Sequence, residues 1–220
     1  MNYKYLEIRL FFFICFMITS FESDAQELGI LKYKGGGDWY SNPSALPQLI
    51  GFCNENIGTL ISETPIEVDL MNDVIFDLPW IHMTGHGNVY FSGAELERLR
   101  QYLQGGGFLH IDDNYGMDPY IRPILLNLFT DAPLQELDIN HPIFNQAFNF
   151  PNGLPKIHEH NNQPPQAFGI TLNGRLILLY TFESDLSDGW EDPRVHQDPP
   201  HVRLKALQMG ANVIQYVFNH

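Results

Sequence analysis

The chain has 220 residues, 44% of them hydrophobic, with two cysteines and a formal net charge of −14 at pH 7. Nothing basic offsets that negative field, so nucleic acid is excluded as a partner, and two cysteines leave no disulfide framework. The acidity is compatible with holding cations or neutral ligands, or simply with solubility.

Lys4 and Arg9 begin the chain on a basic note, followed by the apolar run "LFFFICFMIT" (10–19), which is too short to span a bilayer. Ser23 and Ala25 then supply small residues ahead of a cut. The pattern predicts a signal peptide over 1–25, cleaved after Ala25, and a periplasmic or secreted mature chain with no membrane span. The alternative is an uncleaved anchor. Small residues do not flank Cys15, as a lipoprotein site would require. Residues 26–220, about 195 in number, suffice for one well-cored domain. Only Cys53 survives in it. An exported thiol without a partner, set on the inner face of a helix, is expected to be buried and inert.

"LGILKY" (28–33) reads as a first buried strand and runs into "KGGGDWYSNP". A helix over about 43–57 follows, with Leu46, Leu49, Ile50 and Cys53 on one face. "PIEVDL" (65–70) and "LPWIHMTG" (78–85) are two more strands, the second apolar enough to be buried on both sides. Ser92 and Glu95 form an S-x-x-E capping box, Leu96, Leu99 and Leu103 an inner stripe, and Gly105 a stop, which together define a helix. "GFLHI" is the next strand. "MDPYIRPILLNLF" predicts a helix started or broken by proline, and "NHPIFNQAFNFPNGLP" a long irregular connection. "QAFGITLNGRLILLY" reads as a hairpin turning at Asn173 and Gly174, with 176–180 as the last core strand. The carboxylate-rich loop 181–200 precedes a final helix whose buried face carries Leu207, Ala211, Ile214 and Phe218. Alternating strands and helices predict an α/β fold, a mostly parallel central sheet covered on both faces.

Ligands of such sheets bind beyond the carboxyl ends of the strands. Four polar loops emerge there: "KGGGDWY", "MTGHGN", "HIDDN" and "FESD". In "TGHGN", Gly85 and Gly87 let the backbone pass close to a ligand or another segment, and they hold His86 out of the sheet. That histidine either contacts a ligand or caps a turn. Strand alternation puts Phe108, His110 and Asp112 on one face and Leu109, Ile111 and Asp113 on the other. A lone buried carboxylate is costly, so Asp112 must meet a cation, a donor or water; otherwise Asp112 or Asp113 caps the next helix. His158 and His160 share a side if extended, and H-x-H spacing can chelate a divalent metal, although a surface loop carries the same letters. All nine histidines lie beyond residue 81. Asp185, Ser187 and Glu191 faintly resemble a calcium loop but lack its terminal glutamate spacing. Trp190 among carboxylates is either an exposed ring on a sugar-binding rim or an anchor for its loop. Missing are a G-x-S-x-G elbow, a cysteine at a strand end, a Walker loop and a dinucleotide fingerprint, so Ser/Cys acyl transfer and nucleotide cofactors find no support.

"YKGGGDWY", "MTGHGNVYFSGAELERLRQYLQGGGFLHIDDN", "NHPIF" and "DLSDGWED", in that order, resemble the bacterial domain-of-unknown-function family numbered 4159 over nearly all of the mature chain. That family is similar to the class I glutamine amidotransferase-like superfamily and its trehalose-utilisation relatives. The resemblance implies a flavodoxin-like three-layer sandwich and no assigned activity. By the same comparison, His110 to Asn114 stand at the G-I-C-x-G elbow, with Asp112 in the place of the nucleophilic cysteine. Thr181, Phe182 and Glu183 stand where the superfamily carries H-x-E. Both halves of the thiol machinery are absent, and glutaminase chemistry with them.

Two expectations follow. In the first, His86, Gly85, Gly87, His110, Asp112, Asp113, Asn114, Glu183, Asp185 and Trp190 hold a small polar ligand such as a carbohydrate. In the second, the protein is a hydrolase in which Asp112 or Asp113 is general base or ligand, His86 or His110 assists, and His158 and His160 hold a divalent metal.

Overall fold

The computed structural model describes residues 25–220. Residues 1–24, on which the expected signal peptide and the reading of Cys15 rest, lie outside that span. Seven strands form one sheet: β1 (Gly29–Leu31), β2 (Ile66–Val68), β3 (Trp80–His86), β4 (Phe108–Tyr115), β5 (Gln135–Glu136), β6 (Gln166–Leu172) and β7 (Arg175–Phe182). Their order is β2-β1-β3-β4-β7-β6-β5. The first five in that order run parallel, while β6 is antiparallel to β7 and to β5. The helices are α1 (Ala45–Asn56), α2 (Gly93–Gln104), α3 (Asp118–Leu126), the short α4 (Pro193–His196) and α5 (Pro200–Asn219). The result is a three-layer α/β sandwich with a mostly parallel central sheet.

Local chemistry explains the elements. Ser92 Oγ accepts from the Glu95 N–H while the Glu95 carboxylate accepts from the Ser92 N–H, completing the capping box of α2. Pro119 falls in the first turn of α3, where its missing donor costs nothing, although Pro123 lies inside the helix. Asn173 and Gly174 both take positive φ, 51° and 81°, the turn that joins two twisted antiparallel strands with two residues. The two-residue strand β5 and the 3-10 turn Pro142–Phe144, inside what reads as an irregular connection, have no periodic signal.

Alternation along the strands divides the core in two. Leu31, Ile81, Met83, Leu109, Ile111, Leu178 and Tyr180 pack with Leu99, Leu103, Ile121 and Leu125 of α2 and α3. Trp80, Phe108 and Leu179 pack with Leu46, Leu49, Ile50 and Cys53 of α1 and with Met209, Val213 and Ile214 of α5. Burial pushes the Cys53 thiol up to about 12, in keeping with an inert sulfur. The register then places polar side chains side by side on this second face. His82 lies opposite His110, and Thr84 opposite Asp112, which lies opposite Thr181. Three neighbouring strands thus carry hydroxyls, imidazoles and a carboxylate in two successive rows where hydrocarbon would ordinarily sit.

Candidate functional site

The polar rows form a continuous hydrogen-bonded column beneath α1 and α5. At its inner end His82 Nδ1 meets His110 Nδ1 at 3.1 Å, with Trp80 stacked on the His82 ring at 5.5 Å between centroids. His110 Nε2 lies 3.2 Å from Thr181 Oγ1, and the Thr181 hydroxyl in turn donates to Asp112 Oδ1. Burial holds both imidazoles neutral, pulling His82 down to about 3 and His110 well below its ordinary value. Burial also pushes Asp112 up to about 7, against the pull of its hydrogen bonds from Thr181 and Ser187. The N–H and the hydroxyl of Ser187 both donate to Asp112 Oδ2, each at 2.7 Å. Ser187 Oγ also lies 2.9 Å from Thr84 Oγ1, and Thr84 donates to Asn114 Oδ1.

The column ends at Asp188, on the 3-10 turn Asp188–Trp190 that follows β7. Asp188 Oδ1 accepts from Asn42 Nδ2 at 2.6 Å and from Asn114 Nδ2. Its other oxygen, Oδ2, faces His158 Nδ1 at 3.3 Å and His196 Nε2 at 3.7 Å. These three residues offer one ligand atom each within 4.8 Å of one another. Outer partners orient them: His158 Nε2 bonds Asp198 Oδ1 at 2.9 Å, so its Nδ1 is the nitrogen turned toward Asp188. Asp185 Oδ2 lies 3.3 Å from His158 Nδ1 and also accepts from His160. Asp185 Oδ1 is buried with no hydrogen-bond partner.

Electrostatics match this crowding. The carboxylates of Asp185 and Asp188, with Asp198 on the far nitrogen, push His158 up to about 11 against the effect of burial. Burial raises Asp188, but the hydrogen bonds from His158 and Asn42 and the nearby imidazoles outweigh it and hold the carboxyl below its usual range. Without a metal, an imidazolium supplies the positive charge that three surrounding acids require; a divalent cation would supply it instead and displace the proton from His158 Nδ1.

Ligand atoms 2.0–2.1 Å from a tetrahedral metal stand about 3.3–3.4 Å apart, so the spacing around Asp188 Oδ2 fits a zinc-sized ion. A two-histidine, one-carboxylate set leaves a coordination position open. The family model described as Domain of unknown function (DUF4159) matches residues 27–218. The chain belongs to that family. No curated protein matches it.

The other candidate residues distribute around this centre. His158 is in the three-residue group, whereas His160 reaches it through Asp185 and packs against Tyr115, ring centroids 4.7 Å apart and planes tilted by 31°. Asp112, His110 and Asn114 belong to the supporting column. Asp113 faces the opposite side, where its oxygens accept from the N–H groups of Met117 (2.9 Å) and Asp118 (3.0 Å) at the start of α3. His86 stands at the exposed end of β3 and pairs with Asp38 at 3.1 Å, apart from Asp112. Gly85 has φ +137°, and a Cβ there would lie 3.0 Å from Asp38 O and meet the Tyr33 hydroxyl, which ties the "KGGGDWY" loop against β3. Gly87 takes φ +74° at the following turn. Glu183 is buried, bonded to Lys156 at 2.9 Å and Asn161 at 2.7 Å. Both partners hold its carboxyl low in spite of burial.

Of the two readings of Trp190, the loop anchor is the one found and its place in the ligand-binding set is corrected: the residue is 0% exposed and its Nε1 donates to Ala206 O at 2.9 Å, so the ring ties the loop to α5 instead of lining a sugar-binding rim. The side chains of the calcium-like stretch also point apart: Ser187 donates to Asp112, and Glu191 accepts from the N–H groups of Ser44 and Ala45, each at 3.1 Å, at the start of α1. Asp188, His196, Asp198, Asn42 and Thr84 are the site residues that sequence reasoning missed. The crowding of histidines into the later part of the chain is the one signal that pointed their way.

Proposed function

We propose that the protein is a metal-dependent hydrolase in which His158, His196 and Asp188 hold a zinc-class divalent ion at the carboxyl edge of the sheet. The observation that carries this reading is Asp188 Oδ2: it faces two imidazole nitrogens at 3.3 and 3.7 Å while two amides occupy the other oxygen. Asp198 behind His158 is the carboxylate–histidine pairing that fixes a ligand's tautomer. When bound, such an ion lowers the pKa of a coordinated water and polarises a substrate oxygen. Asp185, whose Oδ2 lies 3.3 Å from His158 Nδ1 and whose Oδ1 has no partner, would be the base for that water's proton. Tyr115, half exposed and packed at a tilt against His160, is the aromatic face offered to a small polar substrate, a carbohydrate among them. Asp112 takes no part in covalent chemistry: it sits in the column as an anchor for Ser187. On the amidotransferase-like resemblance, it replaces a nucleophile without inheriting the nucleophile's task.

Export to the periplasm or beyond is part of the proposal, supported by the basic start and short apolar run of residues 4–19. Among the described residues no helix is long and apolar enough to cross a membrane. The test is metal analysis and titration of the chain purified without chelator, then a panel of ester, phosphoester and glycoside substrates. Stoichiometric zinc, manganese or iron, with turnover abolished by chelation and restored by the metal, is expected. Failure to take up any of the three overturns the reading. Metal uptake without turnover would make the edge a metal-assisted binding site instead.

A further inference from the structure

Between β1 and β3, where successive crossovers leave the sheet in opposite directions, lies a pocket of about 90 Å³. Ile30, Trp39, Pro43 and Leu46 give it apolar walls, Asn42, His82 and Thr84 contribute polar groups, and Tyr40 and Glu67, the latter paired with Lys32 at 3.7 Å, complete the lining. His82 is 2% exposed, and its Nε2 has no hydrogen-bond partner. Buried nitrogens are seldom left so, because an unpaired buried polar atom forfeits its hydration without return.

Neighbouring bonds determine what that nitrogen offers. The Thr181 hydroxyl has two acceptors in reach, Asp112 Oδ1 and the Ile111 carbonyl at 3.2 Å, so its single proton is taken up there and His110 Nε2 donates to Thr181 Oγ1. A neutral His110 then has a bare Nδ1, which accepts from the His82 Nδ1–H. His82 Nε2 is left with a lone pair and no proton: an acceptor beside an apolar-walled pocket. For scale, a cavity of about 150 Å³ lined by hydrocarbon holds benzene, with six heavy atoms, so this one suits about four.

We infer that this pocket binds a small neutral group of about four heavy atoms that carries one hydroxyl or amide hydrogen on an apolar stem, donated to His82 Nε2. A charged group at the His82 end would lose its hydration against Ile30, Pro43 and Leu46, and the one carboxylate of the lining, Glu67, is already paired with Lys32. Asn42 and Thr84 line the pocket and also belong to the network that holds Asp188. The pocket is therefore positioned to recognise one end of a molecule whose other end reaches the carboxyl edge. Its occupancy does not require the metal, so its failure and that of the proposed metal centre are separable.

The test compares 2-propanol with acetone, which share a skeleton of four heavy atoms and differ in the donor hydrogen. Long-range ¹H–¹⁵N spectra of the metal-free chain identify the His82 tautomer. The resonance of Nε2 is expected in the unprotonated range and moves upfield, saturably, with 2-propanol and not with acetone. Ile30→Phe, which narrows the pocket, is expected to abolish that movement while leaving the tautomer unchanged. A protonated Nε2, no movement with 2-propanol, or equal movement with both solutes would overturn the inference. So would a response that persists in Ile30→Phe.

Discussion

The two faces of the central sheet are built from the same strands and differ in nearly everything else. Under α2 and α3 the strands present Ile81, Met83, Leu109, Ile111 and Leu178, and the one acid that points there, Asp113, is used to start a helix. Under α1 and α5 the alternate residues of β3 and β4 are His82, Thr84, His110, Asp112 and Asn114, bonded to one another and to the loop after β7. A buried polar column is costly unless every member is partnered, and it contributes less to stability than hydrocarbon would. What it provides is position. Through Ser187 and Asn114 it determines where Asp188 stands, and the proposed metal centre would need that carboxylate held within fractions of an ångström.

The contrast predicts opposite consequences for equally buried residues. Leu109→Ala on the hydrocarbon face is expected to cost about 2–5 kcal/mol of stability, read from urea unfolding, with the metal affinity of the native protein unchanged. Asp188→Ala is expected to do the reverse: metal affinity falls by about 100-fold or more, about 2.7 kcal/mol, measured by competition titration. Asn114→Ala, which frees one amide bond from Asp188 Oδ1, should lie within the roughly 10–100-fold typical of outer partners. Asn114→Ala with the affinity of Leu109→Ala would mean that the column supports nothing at the edge, and Asp188→Ala with that affinity would remove Asp188 from the ligand set.

That division was half legible in the letters. A period of two is a local property, so the separation of Phe108, His110 and Asp112 from Leu109, Ile111 and Asp113 follows from β4 alone. Thr84 could have been added by the same counting on β3. The centre itself was not legible, because Asp188, His196 and Asp198 lie in a loop with no period, whose path depends on a tertiary event: Trp190 entering the core against Ala206. Its acidic neighbours left that tryptophan open between surface and anchor. His158 and His160 were identified by spacing, yet only the position of Asp185 shows why one joins the three-residue group and the other does not.

Acid sharpens the comparison next. His82 is held neutral down to about 3, against about 6.5 when unfolded, so between those values the unfolded chain binds the extra proton and stability falls as pH falls. Such a group contributes a slope of up to about 1.4 kcal/mol per pH unit. Asp112 works in the opposite sense, since its raised pKa makes the folded chain bind the proton as pH drops through about 7. The difference between wild type and His82→Gln isolates the imidazole. The variant is expected to gain about 2 kcal/mol relative to wild type between pH 6.5 and 5. A constant difference across that range would show His82 to be charged or exposed.

The smallest effect belongs to the acid on the other face. Asp113→Ala is expected to cost about 1 kcal/mol, the usual penalty for a lost helix cap, with no change in metal affinity. Asp113→Asn keeps one acceptor for the two N–H groups and should cost less. Its pH dependence tells more than its size. Burial pushes Asp113 up to about 6, against the pull of both N–H groups, so the folded chain holds a proton that the unfolded chain has released above its ordinary value near 3.8. Wild type therefore loses stability as pH rises through that window, while the amide does not titrate. The penalty of Asp113→Asn should be larger at pH 4 than at pH 7. If it grew with pH instead, the helix N-terminus would be stabilising the carboxylate more than burial penalises it. The two faces would then differ less in how they treat charge than their packing implies.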